Sequence, residues 1–328
     1  MITLNPKLQK LIAAPGVTDI FLNGHTETWL ETSTSTSEVA SPFESEEQLA
    51  DFAINLIAET GRHLDQANPF ADVTIPASDI QGLEASGISG IRFHAALASA
   101  CSSKTLVSLR VHGRGVFDLA DLQKEGMFSE RTAKQLVDIV AESANFIISG
   151  ATGAGKTTLL RAMLLEAPED RVVAIEDVAE LNLGNEYFLS LQTRPANIEG
   201  RGEITLDRLL RESLRMRPNR LLVGEVRGGE LITMLQALNT GHRGSATTIH
   251  ANSLAAVPTR LLGIATSQGL SIEQISGQIA EAFDYVIHLS TDAGQRRIEQ
   301  IGRLELVGGE LGVLPVTARR RGSSVQAA

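Results

Sequence analysis

The chain has 328 residues, 43 % of them hydrophobic, enough for two domains with cores of their own, and no apolar stretch is long enough to cross a bilayer. Its 39 acidic against 29 basic side chains leave a net charge of −10, and 4 % aromatic content is low, so binding to nucleic acid by phosphate neutralisation or base stacking is not expected. The one cysteine, Cys101, excludes an internal disulfide and a multi-cysteine zinc site, and it reads as a buried or inert thiol. The first residues, Met1 to Lys7, lack the basic region and apolar core of a secretory leader, so a cytoplasmic protein is expected.

A helix over 4–14 ends at Pro15-Gly16, and strands follow at 17–22 and 28–31 around an Asn23-Gly24 turn. Residues 32–37, all Thr and Ser, read as a mobile surface loop. Ser45 and Gln48 form a capping box for a helix to about residue 60, with Leu49, Phe52, Ala53, Leu56 and Ile57 on one face. Strands are expected at 72–75, 90–94 and 105–111, which makes residues 1–120 an α+β domain with a small sheet. Residues 121–128 are expected to be a linker, at the end of a short helix over 118–124. The helix over 129–144 turns Leu136, Val137 and Val140 inward.

From residue 145 strands alternate with helices, the pattern of a parallel sheet wrapped by helices. The strands are 146–149, 172–175, 187–193, 221–223 and 246–249, and helices follow at 255–267 and 272–283. Strands at 285–290, 299–306 and 311–314 close the domain, with Gly308-Gly309 as a hairpin turn. This second domain spans 129–316, and 317–328 is a polar tail expected to be disordered.

The stretch Gly150-Ala151-Thr152-Gly153-Ala154-Gly155-Lys156-Thr157-Thr158 organises the second domain. It follows a strand and opens a helix, the context that gives a glycine-rich phosphate loop its meaning. The glycines let backbone N–H groups point at an anion, and the helix amino end favours phosphate. Lys156 adds a point charge near the β- and γ-phosphates, and the Thr157 hydroxyl suits Mg2+. ATP with Mg2+ is therefore the expected ligand, held by residues 150–158.

Hydrolysis also needs a metal carboxylate and a group that orients water. Leu221-Leu222-Val223-Gly224-Glu225 is a strand ending in an acid, with Gly224 where the usual metal-binding acid stands. Glu225 would then act through one extra bond of reach. A second strand ends in Glu176-Asp177-Val178-Ala179-Glu180. A solvated acidic loop would read the same, but acids placed directly after buried strands favour a task. His242 and His250 flank the strand 246–249 and suit a switch or a γ-phosphate sensor. Arginines crowd 194–227; most fit a solvated helix face, with one or two completing a charge network between subunits.

These segments resemble the type II/type IV secretion ATPases. Ile175-Glu176-Asp177-Val178-Ala179-Glu180-Leu181 is similar to their Asp box, Leu222 to Arg227 to Walker B, and Thr240-Gly241-His242 with Thr248-Ile249-His250-Ala251 to the His box. Gly16 to Gly24, Arg194 to Thr205 and Leu214 to Pro218 resemble the tight-adherence (Tad/Flp) pilus branch. The resemblance implies an α/β, RecA-like P-loop ATPase domain after a smaller α+β, PAS-like N-terminal domain. It implies Glu180 as the water-polarising acid, Glu225 with Thr157 on Mg2+, and His242 and His250 as the His-box pair. Arg92 and Arg110 would be the N-terminal-domain arginines that reach the γ-phosphate. It further implies a homo-hexamer, without zinc, pressing on an inner-membrane platform protein to move a pilus or drive secretion. Two other readings stand beside it: a nucleic-acid translocase with the same core, and a nucleotide-gated scaffold without turnover.

Overall fold

In a computed structural model the chain is described at residues 1–32, 35–83, 87–98, 102–113, 117–194, 201–292 and 294–316. It divides into two units, Met1–Val116 and Phe117–Ala328. Cys101, residues 195–200 and the tail 317–328 lie outside the described residues.

The first unit runs α1 (Pro6–Ala13), β1 (Val17–Asn23), β2 (Thr28–Thr32), β3 (Thr36–Val39), α2 (Glu46–Glu59), β4 (Phe70–Pro76), β5 (Gly90–Ala96) and β6 (Leu106–His112). Its six strands lie in the order β3-β2-β1-β6-β5-β4, each pairing antiparallel. Period-two alternation decides which side is buried. Ile20, Leu22, Phe93 and Leu109 point to a core shared with Leu8 and Ile12 of α1 and Leu49, Leu56 and Ile57 of α2. The Ser45 side chain caps α2 by accepting from the Gln48 N–H at 3.2 Å. One expectation is corrected: of the segment 32–37 expected as a mobile loop, Thr32 ends β2 and residues 36 and 37 belong to β3, an edge strand. The ladder of β2 supplies its partners (Thr28 with Val39, Glu31 with Thr36), and β-branched residues suit that edge.

The second unit continues with α3 (Leu119–Lys124), α4 (Glu130–Ala141), β7 (Phe146–Gly150), α5 (Lys156–Leu164), β8 (Val172–Glu176), β9 (Phe188–Gln192), α6 (Leu206–Ser213) and β10 (Arg220–Val223). It closes with α7 (Glu230–Asn239), β11 (Ala246–Ile249), α8 (Val257–Ser267), α9 (Ile272–Ala282), β12 (Tyr285–Asp292), β13 (Gln295–Val307) and β14 (Glu310–Pro315). The eight-stranded order is β14-β13-β12-β7-β11-β10-β8-β9. From β12 to β9 every pairing is parallel, and β13 and β14 add an antiparallel margin.

Both faces of this sheet are covered, so its central strands are apolar on both sides. Phe146 and Ile148 of β7 pack with α3, α4 and α5. Ile147 joins the opposite core, with Val173, Val223 and Ile249 and residues of α6 to α9. The expected linker 121–128 is instead folded into this unit, with Leu122, Met127 and Phe128 buried in the α3–α5 core. In α4 the inward residues are Leu136, Ile139 and Val140, while Val137 is exposed. Spacings of three and four keep those three on one stripe, and Val137 falls off it. Helix α7 was missed by the sequence reading although Leu231, Met234, Leu235 and Leu238 recur at helical spacing and are all buried.

The amino edge of the sheet is closed by Arg220, which is almost fully buried. Its Nε donates to Asp170 at 2.6 Å, and its Nη atoms donate to the carbonyls of Val140 at 2.9 Å and Gly244 at 3.3 Å. Arg220→Met would leave both carbonyls without that donor. We expect a loss of about 3 kcal/mol, read as an earlier urea midpoint for the unfolding of the second unit. An unchanged midpoint would remove Arg220 from the account of its stability.

Candidate functional site

The carboxyl ends of β7, β8, β10 and β11 lie on one edge because the strands are parallel. The phosphate loop joins β7 to α5 there. Gly150 is required by close approach: a Cβ on it would lie 2.7 Å from the Leu289 carbonyl oxygen. Gly155, the residue before α5, has φ +92° and offers no side chain to the helix. The first-turn N–H groups of α5 are therefore left for a ligand. Ala151, Thr152 and Gly153 are exposed, Ala154 is buried beneath them, and Thr158 is partly covered. Below the loop, Ser149 Oγ lies 3.0 Å from His288 Nδ1, a buried contact between β7 and β12. Burial lowers the His288 pKa, and Glu299, 3.8 Å from Nε2, opposes that shift. Glu299 is the extra residue of a β-bulge, since His288 pairs with Gln300 and Leu289 with Ile298.

Lys156 is 9 % exposed. Its Nζ donates to the carbonyls of Gly150 at 3.1 Å and Ala151 at 2.9 Å, and faces His250 Nδ1 at 3.3 Å. An ammonium can only donate, so Nδ1 accepts and the ring proton sits on Nε2. Nε2 lies 3.4 Å from Glu225 Oε1. Burial pulls the Lys156 pKa below the ordinary lysine value, while Glu225 and Glu180 act in the opposite direction. On the other side of the loop, Thr157 Oγ1 donates to Glu180 Oε2 at 3.2 Å. Lys156, Thr157, Glu180, Glu225 and His250 thus converge, as the sequence suggested. The Thr157 hydroxyl and the two carboxylates are hard oxygen donors, the set that Mg2+ takes when phosphates complete its shell.

Backbone bonds aim these groups. The Gly224 N–H donates to Ile175 O at 2.8 Å and Val226 N–H to Thr248 O at 3.0 Å, which holds Glu225 between β8 and β11. Glu176 turns the following loop back on itself: its Oε1 accepts from the N–H of Glu180 and of Leu181, both at 3.2 Å. Glu176 also explains Gly224, because a Cβ there would stand 3.0 Å from Glu176 Cγ. The space of the usual β10 acid is filled from β8. Sequence reasoning counted Glu176 only as one of three clustered acids; its sign was a carboxylate ending a strand buried at every position. Asp177 pairs with Arg227 within the chain, and its Oδ1 accepts from Thr193 Oγ1 at 3.1 Å.

The structure does not bring His242 to this cluster. Residues before and after a parallel strand stand at opposite sheet edges, and His242 precedes β11 while His250 follows it. His242 instead caps α7, with Nδ1 3.1 Å from the Ala237 carbonyl oxygen. Gly241 with φ +113° is the helix-ending signal that Thr240-Gly241-His242 carried. Arg92 and Arg110 belong to the first unit and face each other across β5 and β6. Arg92 makes a two-pronged pair with Asp72, and Arg110 Nε donates to Asp19 at 2.8 Å.

Burial pushes the Glu176 pKa from 4.5 up to about 8, Glu180 adds to the rise, and the two N–H donors oppose it. The folded chain then keeps this proton across neutral pH, while the unfolded chain releases it near the ordinary value. Stability is fully present below the unfolded value and is lost as pH rises towards about 8. Glu176→Gln, which cannot titrate, should gain stability relative to the wild type as pH rises from about 5 to about 8. Thermal unfolding midpoints across that range test it, and a constant difference would contradict it.

A family model described as Type II/IV secretion system protein matches residues 5–303. Over 323 residues the chain is 37 % identical to a Mycobacterium tuberculosis protein named for conjugal transfer, across 98 % of this chain and 90 % of that one. Among solved structures, the Legionella pneumophila ATPase DotB gives a TM-score of 0.65 at 20 % identity, covering 89 % of this chain and 78 % of that one. The pilus retraction motor PilT, solved with bound ADP, gives 0.63 at 16 % identity, over 96 % and 82 %. Those two likenesses concern the fold, which is the α/β fold of such ATPases. The family match covers most of the sequence, and the chain belongs to the type II/IV secretion system protein family.

Proposed function

We propose that the chain is an ATP-hydrolysing motor, working as a homo-hexamer that powers a Tad/Flp-type pilus or a related secretion or conjugation machine through an inner-membrane platform. The observation that carries it is the cluster of Lys156, Thr157, Glu180, His250 and Glu225 around one phosphate loop. The Tad/Flp branch rests on the resemblance of Gly16 to Gly24, Arg194 to Thr205 and Leu214 to Pro218. The relative named for conjugal transfer supports the wider class of machine. Among the described residues no helix is long and apolar enough to cross a membrane, so the proposed membrane contact is through partners.

The chemistry divides among the clustered groups. The free N–H groups of α5 and the Lys156 ammonium take the phosphates; a charged acceptor replaces two neutral carbonyls. Glu180 orients water towards the terminal phosphate and accepts its proton. His250 links Lys156 to Glu225, so a change of charge at the phosphate end is felt at the carboxylate. Thr157 and Glu225 would hold Mg2+, which neutralises charge on the phosphate oxygens. Arg92 and Arg110 keep their proposed role toward the γ-phosphate, and each would have to leave its carboxylate partner to perform it.

Phosphate release from Mg-ATP by the assembled protein is the test. Glu180→Gln should keep nucleotide binding and lose about 100-fold or more of turnover, whereas Lys156→Ala should lose binding itself. Wild-type turnover in a Glu180→Gln ring would discard the base assignment. Hydrolysis driven by single-stranded DNA, with steep salt dependence, would favour a nucleic-acid translocase. No hydrolysis by an intact ring at saturating Mg-ATP would leave a nucleotide-gated scaffold.

A further inference from the structure

Arg296 stands on β13 opposite Thr291 of β12. Its Cδ lies 3.3 Å from the point that a Cβ on Gly155 would occupy, and Met127 Cε lies 3.6 Å from the same point. The side-chain stem therefore rests on the last residue of the phosphate loop. The strand is held there by the Ile298 N–H, which donates to Met127 O at 2.8 Å. The neighbouring Arg297 pairs with Asp292 at 2.6 Å. Arg296 is exposed and, among the described residues, enters no ion pair or side-chain hydrogen bond.

That placement is unfavourable for the protein alone. The amino end of α5 already carries positive potential from the aligned peptide dipoles. A guanidinium beside it, with no ion-pair partner among the described residues, adds repulsion that an anion on the loop would relieve. The two cations also mark different ends of the loop. The Lys156 amine reaches back to Gly150 and Ala151, where the loop begins. Arg296 covers Gly155, where it ends. With Lys156 serving the β- and γ-phosphates, the guanidinium is left the phosphate next to the ribose.

We propose that Arg296 is a second nucleotide-binding cation of this site, contributed by the same chain, and that it contacts the α-phosphate of a nucleoside di- or triphosphate. It rests on the phosphate-loop reading above. A planar, charged, two-pronged donor matches a phosphate, while a base would be met by stacking and would make the contact selective.

The experiment titrates the full chain with Mg-ADP and Mg-GDP, following heat or a fluorescent analogue. Arg296→Gln and Arg296→Ala should each weaken both nucleotides about tenfold, the worth of one charge-assisted contact, and Arg296→Lys should recover part of it. Arg297→Ala, which loses only the pair with Asp292, should bind as the wild type does. ADP affinity within about twofold of wild type in both Arg296 variants, with unchanged thermal unfolding, would overturn the proposal. So would a loss confined to ADP, which would move the contact to the base. If the wild type bound no better than Lys156→Ala, the phosphate-loop reading would fall and this proposal with it. Wild-type binding with no Arg296 effect sinks this one alone.

Discussion

Lys156 carries its ammonium to a position that is 9 % exposed, and a charge so placed must be met by acceptors. Two loop carbonyls, one imidazole nitrogen and, beyond them, two carboxylates meet it. The same interaction selects the His250 tautomer, since its Nδ1 has to accept. It also connects Glu225 to the loop lysine, because His250 lies between the two. An anion entering the loop would compete for this ammonium and thereby act on the other partners.

The carboxylates are placed by an exchange between neighbouring strands. Directly after β10 the position expected to hold an acid is Gly224, and the reason is steric. Glu176 from β8 lies against it, buried and drawn towards its protonated form. A proton-bearing Glu176 can still accept from the N–H groups of Glu180 and Leu181, so it shapes the loop that presents Glu180 without adding full charge to the cluster. One acid thus serves as scaffold, and the other two are those proposed for phosphate chemistry.

The two edges of the parallel sheet differ in purpose. At the carboxyl edge, charged groups gather around a loop with unused N–H donors. At the amino edge Arg220 is consumed by Asp170 and two carbonyls, and His242 by the end of α7. Charge that is fully partnered inside the fold stabilises it; charge held close to an open donor set is available to a ligand. On the same grounds Arg296 stands out from Arg297, its neighbour in sequence.

Much was legible before any coordinates. Glycines at fixed spacing, with a strand before and a helix after, specify a phosphate loop because few other backbones need them. Apolar runs that alternate with helices specify a parallel sheet, and that places Glu180, Glu225 and His250 at one edge. Local pattern could not show which groups meet through space. Strand order decided that β11 lies between β7 and β10, and so that His250 bridges Lys156 to Glu225. It decided that Glu176 fills the space at Gly224 and that Arg296 rests on Gly155, while strand direction put His242 at the opposite edge from His250. Sequence alone determined which chemistry the chain can hold, because motif and period are local properties. Tertiary structure decided which side chains take part, because a sheet brings together residues a hundred or more positions apart, as Ser149 and His288 show.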